Sequence, residues 1–117
     1  MYTKDEREVI YSLIRKFGIT SRYKGYHYTV DAVLLYLETE RSELSIMITK
    51  DVYPKLTKKY NAKGTNGIER NIRTVAELCW SNNRELLESI AGYPLPSRPT
   101  NAEFLTILSY YIKCMTK

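Results

Sequence analysis

A chain of 117 residues with 44% apolar side chains has room for one compact domain and its core, which excludes wholesale disorder and a two-domain enzyme. Eighteen Lys and Arg against thirteen Asp and Glu leave a net charge of +5, compatible with nucleic acid or an acidic protein as partner and specific to neither. No apolar run approaches the roughly 20 residues that cross a bilayer, and residues 1–9 hold no apolar signal-peptide core. The expectation is a soluble, cytoplasmic protein with no membrane partner.

Across residues 5–17, Val9, Ile10, Leu13, Ile14 and Phe17 recur at i, i+1, i+4, i+5 and i+8, one stripe of a helix. Asp5, Glu6 and Glu8 at its start and Arg15 and Lys16 at its end suit the macrodipole, and Gly18 is placed to stop it. A polar connection over 20–25 precedes a second helix, expected to run from Thr29 as N-cap to about Glu40 with Val30, Val33, Leu34 and Leu37 inside. The short apolar run from Leu44 to Ile48 has no second strand to pair with, so a buried helical turn is expected. From Asp51, the spacing of Val52, Leu56 and Tyr60 predicts a short helix. Pro54 lies in its first turn, where a missing N–H costs nothing. Residues 61–65 then turn, with Gly64 able to supply a positive φ.

Asn66 and Glu69 have the spacing of a capping box that opens the next helix. Ile68, Ile72, Val75 and Cys79 form its buried stripe, opposite Asn66, Glu69, Arg70, Arg73 and Glu77. A polar stretch, 80–84, leads to a weak helix over 85–91, and Gly92, Pro94, Pro96 and Pro99 mark an extended connector. Thr100 or Asn101 caps a last helix, with Glu103 in its first turn and Phe104, Leu105, Ile107, Leu108 and Ile112 on its apolar face. The fold class is all-α: a single domain, 1–117, of about six helices.

Candidate chemistry is sparse outside one region. Cys79 and Cys114 belong to no CxxC or Cys/His cluster, and the lone His27 cannot complete a zinc site. No phosphate-binding glycine motif or HExxH string occurs, so neither a cofactor, a metal nor enzymatic activity is expected. By contrast, residues 50–79 pair a short helix with a longer one across a glycine-containing turn, the layout of a helix-turn-helix. Lys50, Lys55, Lys58, Lys59 and Lys63 are placed to meet phosphates. Arg70 and Arg73 can each read guanine with a bidentate fork, Glu69 can accept from cytosine N4, and Asn66 can contact a base or phosphate. Between residues 50 and 73, seven basic residues face Asp51 and Glu69, so the stretch carries 7 − 2 = +5 and the remainder is neutral. A solvated face with Glu69–Arg73 and Arg73–Glu77 ion pairs has the same spacing, and the pattern alone does not separate the two.

Five strings carry a resemblance: Lys24-Gly-Tyr-His-Tyr28, Tyr53-Pro-Lys-Leu-Thr-Lys-Lys-Tyr60, Ile68-Glu-Arg-Asn-Ile-Arg73, Trp80-Ser81 and Pro99-Thr-Asn-Ala-Glu-Phe104. In order and spacing they resemble the C-terminal DNA-binding effector domain of the response regulator that initiates sporulation in endospore-forming Firmicutes, over residues 14–112. The resemblance implies a six-helix domain with a central helix-turn-helix that reads a short promoter box in double-stranded DNA, commonly as a pair on tandem boxes. It also implies contact with RNA polymerase during activation. Glu69, Arg70 and Arg73 match the family's DNA-facing positions, and Lys58 and Lys59 match the pair that closes the preceding helix.

Where the family has Ser-Arg ahead of the position of Ile68, this chain has Asn66-Gly67 after a turn one residue longer. Identical base specificity is therefore not carried over, and a Gly so early weakens the helix start by up to about 1 kcal/mol. In the family the domain follows a phosphoacceptor receiver, which nothing in this sequence resembles. An excised domain or a stand-alone relative is expected, binding DNA without a phosphorylation switch of its own. The rival reading is a helical protein-interaction module contacting RNA polymerase or a regulatory partner, to which 11 tyrosines lend some support.

Overall fold

The computed structural model describes residues 4–41 and 51–115, and among them six α-helices and no strand. The fold is all-α. The expected turn at Leu44 to Ile48, and Lys50, lie outside the described residues.

α1 (Lys4–Lys16) buries Ile10, Leu13 and Ile14 on the stripe that its periodicity predicts, and Phe17 continues it. It ends as expected: the Phe17 and Gly18 N–H groups donate to the carbonyls of Ile14 and Arg15 at 3.0 and 2.9 Å, with Gly18 at φ 83°.

α2 (Lys24–Arg41) departs from expectation by starting five residues before Thr29. Thr29 caps nothing; it is fully buried inside the helix, and its hydroxyl has no hydrogen-bond partner among the described residues. The early start has a packing cause. Tyr26 lies four residues before Val30 on the inward stripe and is buried with it, which extends the apolar face by a turn. Gly25 is also buried, because the backbone of a later helix crosses against it.

α3 (Tyr53–Lys59) carries Pro54 in its first turn and buries Tyr53 and Leu56, with its N-cap Val52 buried beside them. α4 (Thr65–Asn82) runs through Trp80 to Asn82, so part of the expected polar connection is its last turn. There Asn82 Nδ2 donates to the Phe17 carbonyl at 2.9 Å and ties the end of α4 to the end of α1. Asn83 breaks the helix and caps α5 (Arg84–Ala91), its side chain accepting from the Leu86 N–H at 3.1 Å. Gly92 ends α5 at φ 84°. Thr100 is the cap of α6 (Asn101–Met115): its hydroxyl accepts from the Glu103 N–H at 3.2 Å.

α2 is the centre of the fold and packs on α1, α3, α4 and α6. Its buried Asp31 meets the Arg7 guanidinium at 3.2 Å and the Lys59 ammonium at 2.9 Å, and accepts from the Tyr60 hydroxyl. Burial, and then this hydrogen bond, push the Tyr60 phenol well above its ordinary range. One acid on α2 thus joins α1 to the end of α3.

The cysteines fall in opposite environments. Cys79 is fully enclosed on α4, and burial raises its thiol far above the usual range, while Cys114 is exposed on α6. Titration of the native protein with a thiol-specific chromogenic reagent at mildly alkaline pH should release one fast equivalent, and two only in denaturant. Two fast equivalents in the native state would contradict the packing of α4.

Candidate nucleic-acid interface

The α3–α4 corner is built by local hydrogen bonds. The Tyr60 and Ala62 N–H groups donate to the carbonyls of Leu56 and Thr57, both at 2.9 Å, and Thr57 Oγ1 donates to the Tyr53 carbonyl at 2.9 Å, with the Gly64 carbonyl a more distant acceptor at 3.4 Å. The left-handed position in the turn is Asn61, at φ 54°, and not Gly64, which is extended. Asparagine tolerates this region because its short polar side chain relieves little-tolerated φ values locally.

The capping box expected at Asn66 and Glu69 does not form. The cap lies two residues earlier, at Gly64, with no side-chain cap on the first N–H groups. Asn66 is an exposed residue of the first turn, and Glu69 turns along the helix to pair with Arg73 at 2.6 Å. Asn71 Nδ2 donates to the Gly67 carbonyl at 2.7 Å, and a side chain at Gly67 would meet only open space. The first turn of α4 therefore presents bare backbone, the part of a helix at which an anion is stabilised.

The two faces of α4 are sharply divided. Ile68, Ile72, Val75, Ala76 and Cys79 are fully buried, while Asn66, Arg70, Arg73 and Glu77 are exposed and Glu69 is half-buried. Lys55 and Lys58 are exposed on α3, and Lys63 in the turn. Among the described residues Lys58, Lys63 and Arg70 make no ion pair. Lys59 is different: its side chain is half-exposed and its ammonium is held by Asp31.

Two groups that periodicity does not single out border this face. Asn101, at the start of α6, donates to the Glu69 carbonyl at 2.9 Å and to the Tyr53 hydroxyl at 3.1 Å, fastening α6 across both helices of the corner. Arg98 reaches from the connector to Glu77 at 2.5 Å. The repeated helical spacing of Glu69, Arg73 and Glu77 was visible in sequence; a partner 21 residues further on was not.

The sequence that builds this bundle matches a family model. The model, described as "Sporulation initiation factor Spo0A C terminal", aligns with residues 10–112. The chain belongs to this family. Spo0A C-terminal domains are DNA-binding transcription-factor domains and not an enzyme family. DNA binding and transcription regulation in sporulation fit membership of this family. No helix among the described residues is long and apolar enough to cross a membrane.

Proposed function

We propose that the chain acts in the cytoplasm as a single effector domain, residues 1–117, that recognises a short promoter box through a helix-turn-helix formed by α3 and α4. The observation that carries the reading is the exposed row Asn66, Arg70 and Arg73 on a helix whose opposite face is wholly buried. In this reading the start of α4 enters the major groove. Arg70 and Arg73 fork onto guanine, Glu69 accepts from a cytosine amino group, and Asn66 contacts a base or phosphate. Arg73 must exchange Glu69 for DNA, a small cost because both side chains are more than one-third exposed. Lys55, Lys58 and Lys63 meet phosphates, together with the bare N–H groups of α4. Lys59, engaged by Asp31, is assigned chiefly to holding α3 on α2. Two domains occupy tandem boxes, and a bound domain contacts RNA polymerase.

Selection of bound sequences from a random duplex pool, followed by anisotropy titrations on the selected and a scrambled duplex, tests this reading. Arg70→Ala and Arg73→Ala should each cost on the order of 1–3 kcal/mol on the selected duplex and much less on the scrambled one. Lys58→Ala should weaken both and lower the salt slope by about one. Equal affinity for the two duplexes, unchanged by Arg70→Ala, would remove base reading. The exposed rings of Tyr93 and Tyr110, 46% and 56% accessible, favour a second reading as a protein-interaction module. Capture of a polymerase subunit by a chain with no affinity for any duplex would support that one.

A further inference from the structure

The connector before α6 is pinned at both ends beside the exposed face of α4. Its Leu95 is buried, and α5 fixes both its backbone groups: Glu88 accepts from the Leu95 N–H, and Arg84 donates to the Leu95 carbonyl, both at 2.6 Å. Pro99 is buried as well, and Asn101 anchors the other end to the Glu69 carbonyl. The strap so formed walls one side of an open cleft of about 230 Å³ whose other side is Glu69 and Arg73 themselves. Arg98 stands at its rim. Its guanidinium is 2.5 Å from Glu77, with 40% of the arginine side chain and 50% of the glutamate accessible to solvent.

We infer that Arg98 is a second DNA-contacting element, delivered by the connector to the phosphate backbone flanking the groove that α4 enters, and that Glu77 holds it in the free protein. The inference rests on the DNA reading of α4. Three observations support it. Arg98 adjoins a base-reading candidate, Arg73, across one cleft, so a duplex seated on α4 passes in front of both. The strap is pinned at Leu95 and Asn101, which shortens the segment left to be ordered on binding. Finally, the Arg98–Glu77 pair is solvent-exposed and hence worth little, while a phosphate offers the guanidinium a bidentate acceptor and releases condensed counterions. In the free protein the row Glu69, Arg73, Glu77, Arg98 is neutral. On DNA the two arginines exchange carboxylates for the nucleic acid, and Glu77 is left as a repulsive charge at the edge of the interface.

The test uses the whole chain, a scrambled duplex and the duplex recovered by selection, each titrated by anisotropy over a range of salt. Arg98→Ala should weaken binding to both duplexes alike, by roughly threefold at moderate salt, and lower the salt slope by about one. Glu77→Gln breaks the same ion pair but leaves the cation, and should strengthen binding to both. Opposite signs for the two variants exclude a merely structural role of the pair, since lost packing would weaken binding in both; thermal melts by circular dichroism should move little. If wild type binds and Arg70→Ala abolishes selectivity while Arg98→Ala leaves affinity and slope unchanged, Arg98 is no contact and the α4 reading stands. If Glu77→Gln weakens binding as Arg98→Ala does, the pair is structural and the inference is overturned. A wild-type chain that binds neither duplex would overturn both.

Discussion

Gly25→Ala is expected to destabilise the domain by about 3 kcal/mol, although the substitution replaces the poorer helix former by the best one inside a helix. Propensity alone predicts a gain of about 1 kcal/mol at such a position. The crossing of α2 and α4 reverses the sign. A β-carbon at Gly25 would fall inside the contact radius of the Asn71 carbonyl oxygen and 2.6 Å from Val75 Cγ2. The first of these is backbone within a continuous helix, so no side-chain rotation relieves it; α4 must move away from α2. That movement opens the packing around Ile72 and Val75, both fully buried. Urea denaturation followed by circular dichroism measures the loss, and amide chemical shifts should change most at the start of α2 and the middle of α4. A variant more stable than wild type would show that the two helices do not cross at this glycine. Because α4 also presents Arg70 and Arg73, the same variant should bind the selected duplex poorly even at temperatures where it remains folded.

Asp31→Ala should cost a comparable amount, about 3 kcal/mol, since removing the carboxylate takes the acceptor from the Tyr60 hydroxyl and the counter-charge from Lys59 at a buried site. Lys59 is half-exposed and can hydrate, which keeps the figure toward the low end of what breaking a buried ion pair costs. Tyr60 is less accommodating. Its hydroxyl donates to Asp31 while its ring packs edge-on against Tyr28 at 4.8 Å, so its orientation is set from both ends. The double-mutant cycle Asp31→Ala with Tyr60→Phe, read by urea denaturation, should give a coupling energy on the order of 1 kcal/mol or more. A coupling near zero would mean that the hydroxyl and carboxylate do not stabilise each other. Asp31→Asn retains an acceptor for Tyr60 and should be intermediate.

Much of this architecture is written in local spacing. The inward stripes of α1 and α4, the stop at Gly18, Pro54 in the first turn of α3, and a cap for α6 at Thr100 or its neighbour all follow from residues within about four positions of one another, the range over which a helix relates its own side chains. The division of α4 into a buried and a charged face was legible for the same reason, as were the five strings that place the chain in the Spo0A C-terminal family. Local rules failed where a distant element competed with them. Thr29 looked like a cap and is a buried residue of α2, because Tyr26 and Gly25 find partners that draw the helix five residues further back. Asn66 and Glu69 had capping-box spacing, but Asn61 takes the left-handed turn position and Glu69 turns to Arg73.

What the sequence determined by itself is therefore an all-α chain with one strongly basic stretch, a helix with two chemically opposite faces, and a family. Tertiary structure alone decided which charges on and beside that stretch are engaged: on it Lys59 meets an acid 28 residues away, and beside it Arg98 meets Glu77 across 21. It also decided that a glycine on α2 sets the seat of α4. The physical reason is common to these cases. Periodicity reports which side of an element faces inward, whereas a contact between elements depends on where their axes cross, and that is settled only when all six helices share one core.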